Sequence, residues 1–239
     1  MRTTFLISII LESFNAIFAP MIADFYNRKE LRKLENLYKI VTKWIFTISF
    51  AAFLIIVIFP KEILSLWGKE FAEGTTCLII LCCAQLINCS VGTVTSLIMM
   101  TGRTKINLIN QLLVFITIIT LNLFLIPKYS YLGTAFSLGI ALSIINIIGV
   151  FEIYLILRIH PYRIDFFKPL IAGVITFTGL LLFRQYLSEI KHPIAFLGSG
   201  ILIVILVYGL ILFILKLSEE DKVILKKIKF KIISKGLIG

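Results

Sequence analysis

Ser8, Glu12 and Asn15 stand at i, i+4 and i+7 inside an apolar run, with Pro20 shortly after them. At helical spacing the three share one face. A hydroxyl, a carboxylate and an amide on an apolar helix are costly unless they meet protein or water. Glu12 therefore has two readings. It lines a hydrated cavity, where it would take a proton or a cation or accept hydrogen bonds from sugar hydroxyls, or it lies close enough to the outer interface to be solvated. Pro20, which cannot donate a helical hydrogen bond, is a candidate hinge. Gln85, Asn88 and Gly92 repeat the pattern at i, i+3 and i+7, extended by Thr95 or Ser96. Amides and small residues so spaced either glue helices together or line a cavity. Asn107, Asn110, Gln111 and Asn122 punctuate the next apolar run, and Glu152 the one after. Glu152 is near enough in sequence to Arg158 that pairing with basic surface groups is its plainer reading. The candidate cavity-lining set is Ser8, Glu12, Asn15, Gln85, Asn88 and Asn110.

Other chemistry is thinly represented. Cys77, Cys82, Cys83 and Cys89 fall in or beside one apolar stretch without a C-x-x-C pair, so they read as small hydrophobes. His160 and His192 are expected in loops on opposite sides of a membrane, where they could not share a metal. Neither a glycine-rich phosphate loop nor a metal-binding H-E-x-x-H motif is present, and no catalytic residue, metal site or cofactor is expected.

The elements that must position these residues follow from composition. Of 239 residues, 59% are hydrophobic and 15% charged, with a mean hydropathy of +1.01, against roughly 45–50% apolar in soluble domains. A bilayer core about 30 Å thick takes roughly 20 apolar residues as helix. Seven stretches approach or exceed that length: Phe5–Ile22, Val41–Phe59, Thr76–Met100, Ile106–Ile126, Tyr131–Leu157, Phe167–Phe183 and Ile194–Leu215. They are too long and continuous for barrel strands, so the fold class expected is an all-α, polytopic membrane bundle. Pro60 and Pro127 are expected to close spans, and Gly68 and Gly102 to sit in turns.

Basic residues alternate between the connections. One set holds Arg28, Lys29, Arg32, Lys33, Lys39 and Lys43, then Arg103 and Lys105, then Arg158, Arg163 and Lys168, then seven tail lysines; the other holds only Arg2, Lys61, Lys69, Lys128, Arg184 and Lys191. Eighteen against six predicts the first set in the cytoplasm, hence an outside N-terminus and a cytoplasmic C-terminus. The same bias accounts for the net charge of +11 without nucleic acid. An outside N-terminus on an odd number of spans suggests a missing upstream segment. Residues 217–239 alternate lysine with Val223, Leu225, Ile228, Phe230 and Ile232, which suits a basic amphipathic tail on anionic lipid.

Four fragments, in order, carry a family resemblance: Phe18-Ala19-Pro20-Met21-Ile22; Pro60 through Trp67-Gly68-Lys69-Glu70-Phe71; Leu97 through Thr101-Gly102-Arg103-Thr104; and Asn122 through Ile126-Pro127-Lys128-Tyr129, leading to Leu132-Gly133-Thr134-Ala135. The chain resembles the C-terminal half of polysaccharide-export flippases, the O-antigen flippase type, in the multidrug/oligosaccharidyl-lipid/polysaccharide superfamily. That resemblance implies two lobes around a central cavity, with these seven spans as helices eight to fourteen of a fourteen-helix fold. It implies residues 1–158 in the C-terminal lobe, 159–216 as two additional helices and 217–239 as the tail. The implied activity is translocation of a polyprenyl-linked glycan by alternating access, with membrane lipids and a missing N-terminal lobe as partners. The alternatives are a drug or cation exporter of the same superfamily, and a membrane glycosyltransferase or glycan polymerase. The short outer loops speak against the enzymes.

Overall fold

The computed structural model describes residues 5–187 and 193–215, which form helices and turns with no strand among them. The helices are α1 (Phe5–Asn27), α2 (Leu31–Ile58), α3 (Pro60–Ser65), α4 (Thr75–Ser90), α5 (Val94–Met100), α6 (Thr104–Tyr129), α7 (Tyr131–Leu157), α8 (Phe167–Leu187) and α9 (Pro193–Ile214). Short 3₁₀ turns at Lys69–Gly74 and Ile164–Phe166 precede α4 and α8. Seven segments are long and apolar enough to cross a membrane: Ile7–Asn27, Leu31–Ile58, Glu70–Ser90, Thr104–Tyr129, Tyr131–Leu157, Ile164–Leu182 and Leu197–Ile214. The chain is an all-helical, multi-pass membrane protein.

Helix α2 is the spine. Its 28 residues span about 42 Å, well beyond the ~30 Å hydrocarbon layer. It begins well before the expected apolar start at Val41 because the basic stretch is itself helical. Leu34 and Tyr38 are buried there, while Lys33 pairs with Glu30 and Lys39 with Glu35. Pro60 ends α2 by opening α3 at its first position, where the missing N–H costs nothing. Pro127 does not close its span: α6 runs two residues past it, to Tyr129. Gly68 and Gly102 both lie in turns with positive φ.

Three apolar clusters each draw on α2. Ile7 and Leu11 of α1 and Leu78, Cys82 and Cys89 of α4 meet Val41 and Ile45. Ile22, Leu97, Ile98, Ile153 and Leu157 meet Leu34 and Tyr38. Phe166, Ala172, Leu180, Leu197 and Val204 meet Phe46, Phe50 and Leu54, so α8 and α9 pack on the opposite flank of α2 from α4. Lipid offers no hydrophobic drive for helices to associate, so close approach at small residues matters. Gly173 and Gly200 supply it here: a Cβ at either would overlap the rings of Phe50 and Phe59 respectively. The end of α1, the start of α2, α5 and the end of α7 share one cluster, and His160 lies 3.8 Å from Glu35. The connections carrying Arg28, Arg103 and Arg158 therefore gather at one end of the bundle. The tail, residues 217–239, lies outside the described residues, as does His192.

The expected third span, Thr76–Met100, is not one helix. It breaks between Ser90 and Val94, where Gly92 takes φ +67°. Gly92 packs against the Thr42 backbone of α2, with Thr42 Cα 3.0 Å from where a Cβ would stand. Buried backbone that leaves the helical ladder needs other hydrogen-bond partners. Tyr38 supplies one, donating its hydroxyl to the Val91 carbonyl at 2.9 Å.

Candidate functional site

The break in the third span opens beside a cavity of about 340 Å³ enclosed by α1, α4, α5, α6 and α7. Helix α1 contributes Glu12 and Asn15, and α4 contributes Asn88. Thr95 and Ser96 come from α5, Asn107, Asn110 and Gln111 from α6, and Asn146 from α7. Amides make up most of the polar lining, with Glu12 the one carboxylate among the described lining residues, and apolar side chains such as Leu11, Ile98 and Leu142 fill the rest.

Two hydrogen bonds tie the walls together. Ser96 Oγ donates to Asn15 Oδ1 at 3.0 Å, joining α5 to α1. Asn110 Nδ2 donates to Glu152 Oε2 at 2.7 Å, joining α6 to α7. The second bond also fixes an orientation. A carboxylate only accepts, so the amide nitrogen of Asn110 must face Glu152 and its oxygen must face away.

Asn110 is 5% exposed and Asn146 8%, yet Asn110 Oδ1 and Asn146 Nδ2 find no partner among the described residues. Both residues line the cavity. Buried polar atoms are nearly always satisfied, and one left unmade costs roughly 1–3 kcal/mol. One acceptor and one donor therefore stand unpaired in the cavity wall, sealed from its surface in this conformation, and a ligand or water would reach them only as the walls part.

Of the residues singled out by spacing, Glu12, Asn15, Asn88 and Asn110 line this cavity, whereas Ser8 and Gln85 do not. Ser8 is one helical turn before Glu12, about 6 Å along α1, and Gln85 about 4.5 Å before Asn88 on α4, each displaced toward the end away from α5. Pro20 sits on an exposed part of α1, which continues through it to Asn27. Glu152 is bonded to Asn110 rather than to Arg158, whose guanidinium stacks on Tyr154 with Cζ 5.8 Å from the ring centroid. The residue that spacing arguments missed is Asn146. Its only signal is a single amide among mostly apolar and small residues, six positions before Glu152.

Among the described residues no three His, Cys, Asp or Glu side chains gather as a metal cluster. The four cysteines are free thiols.

No family model and no curated protein sequence matches the chain. Among solved structures it is similar to lipid II flippase MurJ in an inward closed conformation, at 20% sequence identity and a TM-score of 0.63. The match covers 88% of this chain and 46% of that one, so the chain spans about half the length of the flippase it matches. Its seven candidate membrane helices have the fold of about half of MurJ.

Proposed function

We propose that this chain is one half of a flippase that moves lipid-linked oligosaccharide units across the cytoplasmic membrane for surface polysaccharide export. The observation that carries the reading is a cavity whose polar lining is mostly amide, with an unpaired donor and acceptor in its wall, set in a fold like half of a lipid-linked precursor flippase. Sugar hydroxyls and N-acetyl groups both donate and accept, and amides with one carboxylate answer both. A volume of about 340 Å³ falls within the roughly 300–1,000 Å³ range of small-ligand sites. The headgroup would pass through such polar space while the polyprenyl tail stays in lipid.

In this reading residues 1–158 form most of the C-terminal lobe, 159–216 two further helices, and 217–239 a basic tail on the cytoplasmic leaflet. A second lobe, from a separate chain or an upstream segment, completes the central cavity, and the two rock between inward- and outward-open states. Ser8 and Gln85, off the cavity within this chain, would line the central cavity that the second lobe completes, and Pro20 would act as a hinge. The basic end of the bundle faces the cytoplasm.

Depleting the chain in its native cell should stop surface polysaccharide export and leave the lipid-linked unit on the cytoplasmic leaflet, read by lectin accessibility. Unchanged export together with greater sensitivity to cationic drugs would instead favour the drug or cation exporter.

Topology is tested separately. In a background lacking the four native cysteines, a cysteine at Lys69 should react with an impermeant thiol reagent in intact cells, and one at Lys33 should not. Labelling at Lys33 would reverse the orientation.

Substituting Glu12→Gln in the complete transporter should lower export while leaving protein abundance unchanged, because the amide keeps the shape and loses the charge. Full export at normal abundance would remove any charged role for Glu12.

A further inference from the structure

The outer surface of α7 carries two apolar grooves that meet at Ile147. One, of about 280 Å³, lies against α4 and is walled by Ile140 and Ile144. The other, of about 380 Å³, continues past Phe151 to Tyr154, His160 and Tyr162. From Ile140 to Tyr154 the helix advances about 21 Å, more than the ~15 Å depth of one leaflet. The floor is low because Gly139 lies against Ala84.

Charge lies close to one end. Beyond Tyr154, Arg158 caps α7 in the left-handed conformation, with φ 58°. Its guanidinium stacks on the Tyr154 ring and forms no ion pair among the described residues. The carboxylate nearest His160, Glu35, is already engaged by Lys39 at 2.6 Å. An apolar groove longer than one leaflet that ends at Tyr154, over whose ring lies an arginine with no ion pair among the described residues, fits an amphiphile with an anionic head.

We propose that this groove seats a resident anionic phospholipid, its acyl chain along Ile140, Ile147 and Phe151 and its phosphate against Arg158. A transported headgroup would need polar partners along its path, and this groove has almost none. Ser143 is the single hydroxyl in its α4 half, and it already donates to the Gly139 carbonyl at 2.8 Å. The polar cavity uses a different set of α7 residues, among them Leu142, Ile145, Asn146 and Gly149. The lipid is therefore a fixed component of the bundle and not its cargo, and the inference stands whether or not the chain translocates glycans.

The purified full chain, stripped of lipid in mild detergent, is titrated with phosphatidylglycerol or phosphatidylcholine and read by native mass spectrometry. Phosphatidylglycerol should be retained about fivefold more strongly, the discrimination that one arginine beside an anionic head provides. Arg158→Gln should abolish that preference while phosphatidylcholine binding persists, and Arg158→Lys should keep most of it. Ile147→Trp, which fills the junction of the grooves, should weaken both lipids at unchanged helix content. Equal retention of both lipids by the unaltered chain, or an undiminished preference in Arg158→Gln, overturns the proposal. So does displacement of phosphatidylglycerol by polyprenyl phosphate at equal concentration, which would make the groove a cargo site. Loss of lipid on self-association of the chain would make it a dimer face and overturn it equally.

Discussion

Gly92→Ala should be among the most damaging single-methyl changes in this protein. The residue holds φ +67° in the break between α4 and α5, and a left-handed alanine costs roughly 1–2 kcal/mol. The added Cβ would stand 2.8 Å from Thr42 Cβ and 3.0 Å from Thr42 Cα, so backbone as well as side chain must yield. Overpacking of this kind costs about 1–3 kcal/mol more. The expected result is a loss of about 3 kcal/mol, measured as a lowered unfolding midpoint of the purified chain and reduced abundance in membranes. Thr42→Ala alone should be nearly neutral, since its buried Oγ1 has no partner among the described residues. Combined with Gly92→Ala it should restore only part of the loss, because the φ strain and the crowding against the α2 backbone both remain. Wild-type unfolding of Gly92→Ala would mean that the break is not a fixed feature of the fold.

Why that break escapes a reading of the sequence is a matter of solvent. In lipid, apolarity records that a segment spans but not where it bends, so Thr76–Met100 reads as one run. The single trace is Gly92, and its i+7 relation to Gln85 invites a helical face that the backbone does not continue. The spans themselves are legible because bilayer thickness sets their length and polar connections interrupt them. The same physics explains Glu152. Proximity in sequence favours Arg158, but Arg158 lies past the end of α7 in a left-handed cap, where its guanidinium sits over Tyr154 while the Glu152 carboxylate turns to Asn110. Spacing could group Glu12 with Asn15, since they share a helix face. It could not bring Asn110 and Asn146 together, because that needs the packing of α6 on α7.

Replacing Asn146 with leucine should separate a ligand-binding role from helix glue more sharply than any other change at the cavity. An amide that glues helices is satisfied by its neighbours, so its loss weakens assembly first. Asn146 Nδ2 has no partner among the described residues although the side chain is only 8% exposed. Removing an unsatisfied buried donor is neutral or stabilising. Asn146→Leu should therefore insert and unfold like the unaltered protein, or slightly better. If the donor is spent on a ligand instead, export by the complete transporter should fall about tenfold, the consequence of one hydrogen bond worth ~1.4 kcal/mol lost from the transition state. Asn110→Leu should cost export as much but stability more, because it also strips Glu152 of the donor at 2.7 Å. Normal export by Asn146→Leu at normal abundance would show that the unused donor serves no cargo, and the cavity would then be a water-filled seam between helices.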